Sequence, residues 1–162
     1  MHFITIHKNN FNQIAQIYAE GLASKMATFE TAVPNWEKWN EKYLPFARIA
    51  LANNDNIIGW AALTAVSTRK VYKGVAEVSI YLRKTHQGKG LGKAILNKLI
   101  AESEVHGIWT LQSGIFSINT ASIKLHESCG FRIIGYREKI GCLNQIWYDN
   151  TLMERRSKTV GI

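Results

Sequence analysis

Two cysteines and two prolines stand in a chain of 162 residues. Cys129 and Cys142 are too few for a disulfide framework and have no metal-ligand spacing, so reduced structural thiols are expected and a metal site is not. With no Pro/Ser-rich linker, internal repeat or long block of like charge, one domain over residues 1–162 is the simplest reading, with a short flexible tail from about residue 156. No apolar run approaches the roughly 18 residues that span a bilayer, so no membrane-embedded role is expected. The start Met1-His2-Phe3-Ile4-Thr5 lacks the basic and then apolar stretches of a signal peptide, and a cytoplasmic address is the default. Acid is scarce too: 12 Asp plus Glu face 20 Lys plus Arg, a net charge of +8. That excess points to an anionic partner, whether nucleic acid, membrane surface or phosphorylated cofactor. Apolar side chains are plentiful at 46%, enough for a real core.

Helical spacing of Phe11, Ile14, Ala15, Ile17, Tyr18 and Leu22 predicts a helix after a short strand at Phe3 to Ile6. A second helix is expected from Trp36 to Leu44, ended by Pro45. Arg48 to Ala52 and Ile57 to Val66 read as strands joined by a tight turn of Asn and Asp, residues that tolerate left-handed backbone. Val75 to Arg83 is the next strand, and Leu91 onward is a helix ending near His106-Gly107. Ile108 to Ile115 is then a strand. Asn119 caps a helix running to Cys129, with Gly130 just beyond its end. Two strands, Phe131 to Arg137 and Ile146 to Glu154, close a mixed α/β layered domain that does not alternate strictly.

Chemistry concentrates where the strand Val75 to Arg83 enters Gln87-Gly88-Lys89-Gly90-Leu91-Gly92-Lys93. Glycines at alternate positions free the backbone to turn and leave N–H groups at a helix N-terminus, where a pyrophosphate can be held. The spacing is neither GxxxxGK[ST] nor GxGxxG. Residues 69 to 98 carry eight basic residues against Glu77 alone, so nearly all of the excess charge surrounds this turn. On the strand, Glu77 projects with Ser79 and Tyr81 away from Ala76, Val78, Ile80 and Leu82. A carboxylate there is either a general base or the partner of Arg69 or a nearby Lys.

Gln87-x-x-Gly90-x-Gly92 matches the [RQ]-x-x-G-x-[GA] signature of the GNAT N-acetyltransferases. Thr28-Phe29-Glu30-Thr31, Val75 to Tyr81, Asn119-x-x-Ser122-x-x-Leu125-His126-Glu127-x-x-Gly130-Phe131 and Trp147-x-Asp149 follow in the order of the phosphinothricin acetyltransferase branch. The chain thus resembles that branch over about residues 11 to 155. The resemblance implies a single-domain GNAT fold of the α/β (α+β) kind, with a mixed, mostly antiparallel sheet flanked by helices. It implies acetyl-CoA as acetyl donor, bound by Ser79, Ile80, Tyr81 and Leu82 of the strand and by Gln87, Gly88, Lys89, Gly90, Leu91, Gly92 and Lys93 of the turn. Asn119 and Ser122 complete that set.

By the same resemblance the acceptor amine attacks the thioester directly, with Glu77 as base through water and N–H groups near Ser79 to Tyr81 polarising the carbonyl. His126 stands near the thiol, as the acid for its leaving thiolate. Phe29 and Glu30 wall the pocket, Arg69 and Tyr72 reach an anionic group of the acceptor, and Asn144 lines it. The implied acceptor is a small amino acid or analogue, phosphinothricin-like or methionine sulfoximine-like, and the implied assembly a homodimer. The chain departs from the branch at Gly141 to Asp149: where phosphinothricin enzymes read roughly G-x-K-[HF]-G-x-W-x-D, it has Leu143, Asn144 and Gln145. Other readings keep the donor but take a protein N-terminus or a polyamine, or make the chain a silent CoA-binding module. From another class comes a basic nucleic-acid-binding domain stacking bases on its 6 Phe, 5 Trp and 6 Tyr. No RNP-like, helix-turn-helix or zinc-finger pattern accompanies those aromatics, so nucleic acid is not the expected partner.

Overall fold

A computed structural model describes all residues, Met1 to Ile162. Seven strands make one sheet, ordered β1 (His2–Thr5), β2 (Ile49–Asn53), β3 (Asn56–Ala65), β4 (Val75–Leu82), β5 (Thr110–Phe116), β7 (Ile146–Arg156), β6 (Arg132–Leu143). Every neighbouring pair is antiparallel except β4 and β5. Helices α1 (Phe11–Ala23) and α2 (Trp36–Lys42) cover one face, and α3 (Leu91–Val105) and α4 (Thr120–Ser128) the other.

Alternation along the strands feeds both layers. Ala62 and Trp60 of β3 join Phe11, Ile14, Ile17, Tyr18 and Trp39 under α1 and α2, while Leu63 and Ala61 pack with Ile95, Leu96 and Leu99 of α3. Trp39 and Trp60 are fully enclosed, their rings edge to face at 5.8 Å, the geometry their quadrupoles prefer. Asn119 caps α4 as its sequence suggested, its side chain accepting the Ser122 N–H at 3.1 Å. Asn54, at φ 52°, makes the left-handed turn of the β2–β3 hairpin.

The main departure from the sequence reading is β6, which runs to Leu143 and not to Arg137. Its register shifts between Ile133 and Gly135 and again between Arg137 and Gly141, and Lys139 adopts φ 44°. Such bulges break the two-residue period on which strand recognition rests. After Arg156, the Ser157 N–H donates to the Trp109 carbonyl at 2.8 Å, and the Arg156 guanidinium reaches the Val160 and Gly161 carbonyls.

Candidate active site

The site begins with a gap in the sheet. β4 pairs with β3 from Ala76 to Leu82 but with β5 only at Val75, Ala76 and Glu77. From Val78 to Leu82 the β5-facing edge has no strand partner. The Arg83 N–H donates to the Ile58 carbonyl at 2.8 Å, which fixes the alternation: Tyr81, Ser79 and Glu77 direct their backbone groups to β3, and Val78, Ile80 and Leu82 direct theirs to the open edge. Of the span Ser79 to Tyr81, only the Ile80 N–H therefore faces the gap. These groups can hydrogen-bond an extended amide ligand laid along β4 as an extra strand.

At the end of that edge lies the glycine-rich turn. Gly88 and Gly90 take φ 74° and 75°, and a Cβ on either would meet nothing within 4 Å, so backbone conformation and an open approach explain both. Gly92 differs: a Cβ there would lie 3.1 Å from Leu125, so this glycine lets α4 pack against α3. The charge excess is partly spent on structure. Arg83 pairs with Glu20 at 2.7 Å and Lys98 with Glu102 at 2.6 Å, whereas Lys84 and Lys93 stand exposed beside the turn. Lys89 folds back to donate to the Thr85 carbonyl at 3.0 Å. Gln87 approaches the Leu82 carbonyl at 3.5 Å.

The gap opens into a cavity of about 470 Å³ that reaches Glu77, Ser79 and Tyr81 of β4 and Asn119, Ser122 and His126 at α4. Segment 26–30 forms one wall. Phe29 packs at a tilt against Phe116 at 4.4 Å and meets Tyr148 edge to face at 6.3 Å; a Cβ at Gly141 would collide with its ring. Glu30 is tied to Lys42 by a salt bridge of 3.1 Å, and both line the cavity. The Tyr43 hydroxyl donates to Ser79 Oγ at 3.2 Å. Burial pushes the Tyr43 phenol up to about 12 and raises Tyr81 further, so both remain neutral donors at pH 7. Glu77 is solvent-accessible at the cavity floor.

His126 is 1% exposed and meets the Phe131 ring edge to face at 5.0 Å. Its Nδ1 lies 2.8 Å from the Ser122 carbonyl; a carbonyl only accepts, so Nδ1 carries the proton. Burial lowers its basicity, against the smaller opposing effect of that bond, and the ring is neutral at pH 7. Nε2 is then a bare acceptor, buried without a partner. Neutral His126 has to take up a proton at Nε2 before it can give one. Asn119 is engaged at both ends of its amide, since Nδ2 donates to the Met26 carbonyl at 3.1 Å while Oδ1 caps α4.

Of the residues expected to bind the acceptor, three stand apart from the cavity, as do Leu82 and the turn residues Gln87 to Lys93 expected to bind the donor. Arg69 lies over the Tyr72 ring at 5.4 Å on an exposed turn, and neither lines the cavity. Asn144, at φ 50°, makes the exposed β6–β7 turn. Asp149 of the Trp147-x-Asp149 motif accepts from the Tyr136 hydroxyl and from the Lys139 N–H at 2.6 Å, pinning the irregular part of β6. Sequence reasoning missed Lys42, Tyr43 and Asn150. Asn150 lines the cavity with Oδ1 buried and unpartnered, a situation that costs about 1–3 kcal/mol unless a ligand relieves it. The one available signal was Gly114 inside a strand, the mark of a close approach.

An open β4 edge, a left-handed glycine turn with exposed lysines at one end of it and a cavity beside it suit a ligand with a diphosphate at one end and an extended amide arm. The family model for the acetyltransferase (GNAT) domain matches residues 4–152. An L-methionine sulfoximine/L-methionine sulfone acetyltransferase of Salmonella typhimurium is 32% identical over 118 residues, 72% of this chain and 69% of that protein. A phosphinothricin N-acetyltransferase of Alcaligenes faecalis is 28% identical over 93% of this chain and 79% of its own length. The crystal structure of a GNAT superfamily phosphinothricin acetyltransferase from Sinorhizobium meliloti in complex with acetyl-CoA covers 99% of this chain and 90% of its own, with TM-score 0.88 and 25% identity. The chain is thus an enzyme of the acetyltransferase (GNAT) family, with acetyl-CoA as its acetyl donor.

Proposed function

We propose that the protein transfers an acetyl group to the α-amine of a small amino acid or analogue of the methionine sulfone, methionine sulfoximine or phosphinothricin kind. The observation that carries this reading is the bounded cavity beside the open β4 edge, walled by Phe29 and the Glu30–Lys42 pair. A pocket of about 470 Å³ fits a small molecule plus the end of the donor's arm. The names of the relatives favour the same acceptor class.

Acetyl-CoA, when bound, supplies an activated acetyl thioester. The β4 edge and the glycine-rich turn hold it, with Asn119 and Ser122 closing the α4 side and Lys84 and Lys93 attracting phosphate. The Ile80 N–H is aimed where oxyanion charge would develop. Glu77 takes a proton from the acceptor ammonium through water, because only the free amine is nucleophilic. His126 Nε2 receives the proton that nitrogen sheds on attack and returns it to the departing sulfur, so the side chain ends neutral. Arg69 and Tyr72 reach the acceptor's anionic group, and Asn144 lines the pocket, only if the 69–72 and 143–146 loops belong to a wall completed by a second copy. A homodimer agrees with Tyr136, Ile140, Ile146 and Trp147, all exposed on the terminal β6–β7 pair whose β6 is a free edge, an arrangement monomers avoid. A cytoplasmic enzyme fits a donor found there.

Acceptor class is tested by thiol release from acetyl-CoA with L-methionine sulfone, L-methionine sulfoximine, phosphinothricin, a peptide amino terminus and spermidine. The amino-acid analogues should exceed the last two by about tenfold or more in kcat/KM. Preference for the peptide or the polyamine would replace this reading with the alternative acceptors.

A further inference from the structure

Two strands that are not neighbours bring polar side chains to one point. Glu77 comes from β4 and Asn150 from β7, and β5 lies between them. They meet across Gly114 of β5: a Cβ at that position would stand 3.2 Å from Asn150 Nδ2 and 3.9 Å from Glu77 Oε1. Both residues line the cavity, and Gly114 has ordinary backbone torsions, so the missing side chain provides space and not a special φ. There the amide presents Nδ2, while Oδ1 is buried without a partner; the two ends are alike in shape, and turned over the amide offers Oδ1 to an N–H or O–H donor in the cavity.

On the reading that this cavity takes an acceptor amine, we propose that Asn150 is a specificity-determining residue whose Oδ1 accepts one N–H of that amine while Glu77 serves another through water. A primary amine has two N–H bonds and a lone pair, so it can satisfy both oxygens and still aim its lone pair at the thioester. An N-methylated amine has one N–H. Its methyl group would leave Oδ1 buried and unpaired, and sites built to hydrogen-bond a substrate reject analogues lacking the donor. The acceptor is therefore a primary amine, selected at the nitrogen itself.

The experiment compares the best acceptor of the panel with its N-methyl derivative, on the wild-type protein and on Asn150→Leu. Wild type should favour the primary amine by about 100-fold or more in kcat/KM, the scale on which hydrogen-bonding sites reject analogues that lack a donor. Asn150→Leu should shrink that preference by about tenfold and raise the acceptor KM, with the acetyl-CoA KM within about twofold of wild type. Thermal stabilisation by CoA reports whether the variant is folded; if it is not, Asn150→Ala, which only removes atoms, reads the same ratio. Equal use of both amines by wild type, or an unchanged ratio in an active variant, overturns the role of Asn150 and leaves the acetyltransferase reading standing. No turnover of any amine overturns that reading as well.

Discussion

The two halves of the candidate site are built from different materials. The β4–α3 side offers mainly backbone: N–H groups on an unpaired strand edge, then a turn made by Gly88 and Gly90 in left-handed conformation. The β5–β7 side offers side chains, Asn150 and the Phe116 and Tyr148 rings that hold Phe29, placed by strand register. Glu77 stands on the seam between the two. A backbone site tolerates changes of side chain but not of conformation, whereas a side-chain site can be retuned one residue at a time.

Substitutions should separate the two sides, and the largest effect belongs to the seam. Glu77→Gln keeps the shape and removes the proposed base; kcat should fall by about 10²–10⁴ with little change in either KM. On the donor side, Gly90→Val forces a branched side chain to φ 75°, a strain of about 1–2 kcal/mol. Released by opening the turn, that strain should raise the acetyl-CoA KM by about tenfold, roughly 1.4 kcal/mol, and leave the acceptor KM alone. Across the seam, Gly114→Ala places a methyl group against Asn150 and Glu77. A several-fold rise in acceptor KM at constant acetyl-CoA KM is expected, and the reverse split would merge the two sides.

The smallest effect is thermodynamic. Folding holds His126 below its ordinary value through burial, so the unfolded chain binds a proton there more readily. No stability is lost above the unfolded value of about 6.5; below it stability declines, until pH has dropped beneath the folded value. Melting temperature followed from pH 7.5 to 5 should therefore fall less steeply in His126→Gln than in wild type. Parallel curves would mean that the ring is not held neutral.

What could be read from the sequence divides along the same line. The glycine turn was legible because left-handed positions demand glycine locally, and the helices because their apolar spacing is local too. The Asn119 cap was legible for the same reason. Asn150 was not, because its meeting with Glu77 depends on register across β5, which no local pattern encodes. The far half of β6 escaped because two register shifts hide its period. Arg69, Tyr72 and Asn144, assigned through resemblance, lie on exposed turns away from the cavity of one chain.

The most direct measurement is mass-spectrometric detection of N-acetyl product when purified protein is incubated with acetyl-CoA and L-methionine sulfone, beside the same mixture with Glu77→Gln. Acetylated amine should accumulate with wild type and fall by about 10²–10⁴ in rate with the variant. Product formed equally by both proteins would contradict the assignment of this cavity and of Glu77 as its base, and CoA release that no amine accelerates would contradict the acceptor altogether.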